Sequence, residues 1–299
     1  MAFTRTPSGQ IAQYRFLTDP LVWVEGPDDI RFYAEALQGV ACDLKPAGGR
    51  EECEKLAEAL VEHSHPYVVV RDGEYTILER RRSPHRRVVM LQRHSMENYL
   101  FEKRAAEEVC RCCAKVGPGD NLVGSAFDTA AKTIGAGLHG LLVLDIAHQR
   151  ARTGQSVLPK GAELLMVPGQ KVAFAKGQIA ARCEAATAGV AGHHVRHARH
   201  LLRDYLRTRR CVDVLPGHFA FGILRRLLTG VVKRHKKGGL GMDDDALKAL
   251  LSAKVWARPS GGDHMSLRRR LRAAVRDAAR ARANQRAGGP GPAPPAASY

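Results

Sequence analysis

The sequence predicts an α/β protein in which a mostly parallel sheet flanked by helices is followed by an α-helical region. Three observations predict it. The runs LVWV (21–24), YVVV (67–70) and VVML (88–91) are short and continuously apolar, as strands covered on both faces are. Amphipathic stretches of helical period separate them, and strands alternating with helices make a parallel sheet. From Ser95 onward the strand signal fades into Ala/Leu/Arg stretches broken by Gly and Pro at 117–119, 159–161, 168–169, 189–192, 216–217, 238–241 and 259–262.

Taken in order, LVWVE reads as a strand. PDDIRFYAEALQ follows as a helix with Pro27 in its favoured first turn and Ile30, Tyr33, Ala34 and Leu37 on one face. ACDLKPA is a weaker strand. GREECEKLAEALVEH is a helix expected to bury Cys53, Leu56, Ala57, Leu60 and Val61. HPYVVVRD and VVMLQ are the next two strands. Near the end, Leu267, Leu271, Val275 and Ala278 form a narrow apolar stripe on an arginine-rich helix. The expected organisation is an N-terminal arm (1–19), an α/β domain (20–101), a basic helical region (102–286) and a disordered Gly/Pro/Ala-rich tail (287–299).

A hydrophobic content of 44% over 299 residues supports a real core. No run of about eighteen apolar residues stands out and the N-terminal residues lack the order of a secretory signal, so a cytoplasmic protein without a membrane span is expected. Seven cysteines without a framework spacing fit reduced thiols. Charge is uneven: residues 1–100 carry 13 Lys/Arg against 15 Asp/Glu, and the remainder 34 against 15, within a net of +17. A near-neutral part joined to a strongly cationic one suits acid-rich chemistry beside a polyanion, for which nucleic acid is the natural partner. An arginine-rich composition that binds nothing is the alternative.

In a parallel sheet every strand delivers its carboxyl end to one edge, where ligands bind. The first strand delivers Glu25 there, followed by Gly26, which permits a tight turn and close approach. YVVVRD delivers Asp72, with Glu74 two residues on, and VVMLQRHSMEN delivers Glu97. Carboxylates that converge repel unless a cation neutralises them, and oxygen-only ligands suit Mg2+ or Mn2+. Each acid has a structural explanation as well. Asp28 and Asp29 lie in a helix first turn, Glu97 lies behind the N-cap Ser95, and RDGEY is also an ordinary turn.

EGPDD after an apolar strand resembles the Glu-Gly-x-x-Asp entry of a Toprim domain, and VVVRDGEY resembles its Asp-x-Asp strand end. AGGREECEKLAEAL and HSMENYL resemble the glycine turn and the Ser-x-Glu-Asn-Tyr signature of the Toprim group related to OLD nucleases, which includes the effector subunit of PARIS-type anti-phage systems. The resemblance covers residues 20–101, with a weaker echo in LPGHFAFGILRRL (215–227). It implies metal-dependent phosphodiester cleavage, with Glu25, Asp72 and Glu74 catalytic and, together with Glu97, holding Mg2+ or Mn2+, while Gly26, Asp29, His94 and Asn98 support the site. One position departs from the pattern: Val70 stands where relatives commonly carry the first aspartate of Asp-Arg-Asp, so the pair is either Asp72 with Glu74, or one ligand is lost. The resemblance further implies an RNA substrate, tRNA among the candidates, a homodimer, and a separate ABC-type ATPase subunit that restrains the effector. This chain has no Gly-x-x-x-x-Gly-Lys-[Ser/Thr] loop of its own. A catalytically degenerate Toprim module that binds nucleic acid or the ATPase without cutting is the alternative; a strand transferase would need a nucleophilic tyrosine that the sequence does not single out.

ERRRSPHRRV places Arg80, Arg81, Arg82, Arg86 and Arg87 between two strands, either as a solvated loop or as a phosphate clamp. The stretches 192–210, 231–237 and 267–286 offer further cations that can follow a nucleic-acid backbone. Cys110, Cys113 and the histidines at 193, 194, 197 and 200 form no recognisable zinc pattern.

Overall fold

The computed structural model describes residues 9, 17–80, 83–117, 121–169, 171–259 and 261–287. The expected tail, apart from residue 287, and most of the expected arm lie outside the described residues. The chain divides into two compact units, one of Met1–Arg71, Arg82–Met90 and Met265–Tyr299, the other of Asp72–Arg81 and Leu91–His264.

The first unit holds the sheet. The chain runs through β1 (Leu21–Val24), α1 (Pro27–Ala36), β2 (Asp43–Pro46), α2 (Arg50–His63), β3 (Tyr67–Arg71) and β4 (Val88–Met90). All strand pairs are parallel and the spatial order is β2-β1-β3-β4. Register places Val22 between Leu44 and Val68, and Val70 beside Val89. Alternation then assigns the two faces. Leu21, Trp23, Tyr67, Val69 and Val88 pack with Cys53, Leu56, Ala57 and Leu60 of α2, and Val22, Val24, Val68, Val70 and Val89 are buried on the opposite face. Two side-chain bonds tie α2 to β3: the Tyr67 hydroxyl donates to Leu56 O at 2.9 Å and the Cys53 thiol to Val70 O at 3.2 Å.

Two helix faces differ from the sequence reading. In α1 the buried stripe is Phe32, Tyr33, Ala36 and Leu37, whereas Ala34 is exposed and Ile30 only partly covered. The large Phe32 ring, fully buried edge-on to Tyr33, turns the helix about its axis from the face read at Ile30 and Ala34. In α2, Val61 is 44% exposed because it lies one position beyond the Cys53–Leu56–Ala57–Leu60 stripe.

The second unit is helical, as expected. It opens with a 3₁₀ turn at Glu74–Glu79 and continues through α3 (Met96–Leu100), α4 (Lys103–Ala114), α5 (Gly124–Ala151), α6 (Lys176–Thr187), α7 (Gly192–Leu206), α8 (Gly217–Lys233) and α9 (Asp244–Ala257). The breaks fall at the predicted Gly and Pro clusters. α5 is its spine, with Ile134, Leu138, Leu141, Leu142 and Ile146 fully buried and with α6 and α7 packed along it. This helix is long and apolar enough to cross a membrane by length and composition, a stretch the sequence reading passed over, and 56% of that window is buried inside the protein.

The last helix, α10 (Gly262–Ala287), starts in the second unit and belongs to the first from Met265 onward. Its predicted stripe Leu267, Leu271, Val275 and Ala278 is buried. Several of its arginines turn inward as well: Arg268 and Arg272 donate to Glu35 O and Gln38 O at 3.4 and 2.9 Å, and Arg270 and Arg282 donate to Met90 O and Asp19 O, both at 2.7 Å. Carbonyls at the end of α1, which has no basic residue of its own in its last turn, are thereby satisfied from α10.

Candidate functional site

The switch point of the sheet lies between β1 and β3, because the chain leaves β1 for β2 on one side and β3 on the other. Glu25 follows β1 there, partly buried. Its carbonyl accepts the Gly49 N–H at 2.9 Å, and the Val24 carbonyl accepts the Ala47 N–H at 2.7 Å. Gly48 and Gly49 make this approach with φ of 104° and 118°, a backbone region that side-chain-bearing residues rarely adopt. The AGGRE stretch therefore fixes the backbone of Glu25. Asp29 folds back at the entrance of α1, accepting the Gly26 N–H at 2.8 Å, so its observed work is to cap that helix. β3 ends with Arg71, which pairs with Glu54 at 2.6 Å. Val70 is 1% exposed and forms part of the core.

Asp72, Gly73 and Glu74 continue the chain from β3 into the second unit. A Cβ on Gly73 would overlap the carbonyl oxygens of Leu91 and Arg93 and the Ile77 side chain, so only glycine fits. Glu74 has φ of 43°, a left-handed conformation that costs on the order of 1 kcal/mol in a residue with a side chain. Its N–H donates to His94 O at 2.8 Å, and this bond helps hold the strained backbone. His94 in turn donates its N–H to Asp213 O at 2.8 Å and sets its ring edge-on to Tyr75. The Tyr75 hydroxyl donates to Asp145, whose other oxygen accepts the N–H groups of Val157 and Leu158 at 2.6 and 3.0 Å. Burial first, then the Asp145 charge, pushes the Tyr75 pKa well above its ordinary value.

The SMEN stretch builds a lock. Asn98 is fully buried and uses both ends of its amide. Its Nδ2 donates to Val212 O and Leu215 O at 2.7 and 2.9 Å, and its Oδ1 accepts from the Ser95 N–H at 2.7 Å and lies 2.9 Å from the Ser95 hydroxyl oxygen. Glu97, 7% exposed, accepts from the Ser95 hydroxyl at 2.7 Å and lies 3.5 Å from Lys248 Nζ and 3.8 Å from His218 Nδ1. A Cβ on Gly217 would overlap Ser95 Oγ and Glu97 Oε2. The signature and the later PGH stretch are thus two halves of one buried contact inside the second unit.

Among the predicted phosphate clamps, Arg87 is buried. It donates to His65 O and Ser64 O at 2.5 and 3.0 Å and pairs with Asp277 at 3.1 Å. Arg86 pairs with the same carboxylate at 2.9 Å. Arg80 is exposed and lines a groove with His200 of α7 and Arg207, which follows that helix. Arg81 and Arg82 lie outside the described residues.

Sequence reasoning missed an ion network centred on Arg93. This guanidinium is 5% exposed, contacts Asp213, Glu102 and Asp263 at 3.3–3.5 Å, and lies 4.6 Å over the Tyr99 ring. Arg209 shares Asp263, and Arg210 shares Glu102 and Asp213. Burial alone would raise the Asp263 pKa, but the hydrogen bond from Arg209 and the charge of Arg93 hold it below the usual carboxylate value. Apart from the local Arg210–Asp213 pair, three residues apart, these residues meet only through tertiary packing, which their spacing does not announce. Among the described residues no group of three or more His, Cys, Asp or Glu side chains is arranged to hold a metal ion. Comparison with protein-family models and with curated proteins finds no match to this chain.

Proposed function

We propose that this chain is a metal-dependent Toprim nuclease, the toxic effector of a bacterial anti-phage system, cleaving RNA, with tRNA among the candidate substrates. The observation that carries the reading is Glu25, which follows a central strand of an all-parallel sheet at its switch point and has its backbone fixed by a double-glycine turn. Asp72, the residue directly after β3, and Glu74, held in a strained conformation, supply the other acids. Their donor chemistry is all oxygen and suits Mg2+ or Mn2+. Bound there, such an ion would supply charge stabilisation for the phosphate oxygens. The reading requires these carboxylates to share the ion when nucleic acid binds. In it Glu25 moves the proton to or from the reacting oxygen, and Glu97, already engaged by Ser95 and flanked by Lys248, serves the fold more than the ion. Cytoplasmic action, a homodimer and restraint by a separate ABC-type ATPase subunit belong to the same proposal.

The test is direct: purified protein is incubated with RNA and with DNA in Mg2+ or in EDTA. Metal-dependent cleavage of RNA supports the reading, and intact substrates under every metal condition count against it. One observation favours the second reading, a Toprim module that binds without cutting. Val70, where relatives commonly carry an acid, is sealed in the core. Tight nucleic-acid binding without cleavage would be its signature.

A further inference from the structure

A second cavity in the helical unit has a different chemistry. It is an open cleft of about 310 Å³, lined by Arg225, Arg226, Thr229, Gly230 and Lys233 of α8, together with Glu163 and the Pro168–Gly169 turn. Residues 225, 226, 229, 230 and 233 recur at helical spacing, so one face of one helix presents two guanidiniums, a hydroxyl and an ammonium. Gly230 contributes no side chain, which leaves room between them. Against three cations the lining sets a single acid, Glu163. Arg225 is braced from outside by Asp244, and Arg226 donates one nitrogen to Val167 O. The Arg226 Nε is shielded from solvent and has no acceptor among the described residues. A buried donor of this kind costs free energy until an acceptor arrives. Lys233 is exposed at the mouth and leads into His235, Lys236 and Lys237, also exposed.

We propose that this cavity on α8 is a binding site for a phosphate group, with Arg226 and Lys233 as its principal ligands and the Thr229 hydroxyl as an additional donor. The planar guanidinium suits two phosphate oxygens, and the ammonium supplies a point charge at the entrance. The phosphate comes either from an RNA backbone or from a free nucleotide. The site lies wholly within the second unit and does not rest on the nuclease reading, because binding is measured without divalent metal.

The experiment uses the full chain in EDTA, with a single-stranded RNA followed by fluorescence anisotropy and with AMP and inorganic phosphate followed by calorimetry. Lys233→Gln, which changes an exposed residue, is the main variant. Arg226→Gln is the second, and Lys132→Gln, exposed on α5 and outside every basic stretch, is the control. The expected result is at least a tenfold loss of affinity for Lys233→Gln and Arg226→Gln, as the loss of a charge-assisted bond implies, with the control unchanged. If RNA is the source, the salt dependence of log K also falls by about 0.7 per lost contact. Weakened AMP or phosphate binding identifies a small-molecule site, and weakened binding of RNA alone identifies a backbone site. Unchanged affinity of Lys233→Gln for all three probes overturns the proposal even if Arg226→Gln fails to fold, as does a parent protein that binds none of them.

Discussion

Gly217 is packed against Glu97 so closely that a β-carbon at residue 217 would overlap the Glu97 carboxylate and the Ser95 hydroxyl. A chain segment at the start of α8 and the signature at the start of α3, more than a hundred residues apart, therefore share one buried contact. Gly217→Ala must displace the Ser95–Glu97 pair or the α8 start, and overpacking of this kind costs about 2 kcal/mol. Urea denaturation followed by tryptophan fluorescence should show a lower midpoint; an unchanged midpoint would mean that the contact yields without cost.

Asn98 supplies the donors for two carbonyls, Val212 O and Leu215 O. In Asn98→Ala both are left buried without a partner, at about 3 kcal/mol in total. The variant should melt well below the parent, and should do so even if Glu25 chemistry is untouched. A variant as stable as the parent would show that water replaces the amide.

His264 gives the helical unit a pH dependence. Burial lowers its pKa below 6.5, Arg93 lowers it further, and Glu102, the Tyr99 carbonyl and Asp263 only partly oppose this. Its ring is fully buried beside Tyr99 and Trp256, with Nε2 3.1 Å from Tyr99 O. Below about pH 6.5 the unfolded chain takes up a proton that the folded chain resists, so stability present above that value is lost as the pH falls toward the folded pKa. Asp263 acts in a lower window. Its folded pKa is depressed below 3.8, so its contribution is present above that value and lost only as the pH falls through the folded pKa. Denaturation midpoints at about pH 7.5 and 5.5 should therefore differ more for the parent than for His264→Gln. Equal differences in the two proteins would remove His264 as the cause.

How far this could be read from the sequence depends on the kind of signal. Leu21–Val24, Tyr67–Arg71 and Val88–Met90 were legible as buried strands because continuous apolar runs have few other uses. The helix starts and breaks were legible because Gly and Pro act locally. The inward arginines of α10 were not, since Arg268 and Arg272 look like a solvated face until the carbonyls of Glu35 and Gln38 are placed beside them. Arg87 misled in the same way: a clamp for phosphate and a clamp for the Ser64 and His65 carbonyls have the same sequence. Of the candidate acids, Glu25 was recognisable from its strand end, whereas the engagement of Glu97 by Ser95 and its proximity to Lys248 are tertiary facts.

Val70→Asp separates two accounts of the strand end. Val70 is 1% exposed and packed in the core, so a carboxylate there is buried without a cation and costs about 3 kcal/mol or more. The variant should lose stability and gain no activity, as measured by melting and by RNA cleavage in Mg2+. A stable variant with strongly increased cleavage would mean that the natural site lacks a ligand that aspartate restores.

The most direct test of the central claim is RNA cleavage by Glu25→Gln in Mg2+, with the melting temperature measured alongside. The Glu25 carbonyl accepts the Gly49 N–H at 2.9 Å, a backbone bond that the change leaves in place, and the melting temperature reports whether the fold survives. The account predicts a parent that cuts and a variant with parental melting whose cleavage falls by a factor of about 100 or more, as the loss of a positioned proton-transfer group implies. A folded variant that cuts as fast as the parent would contradict it.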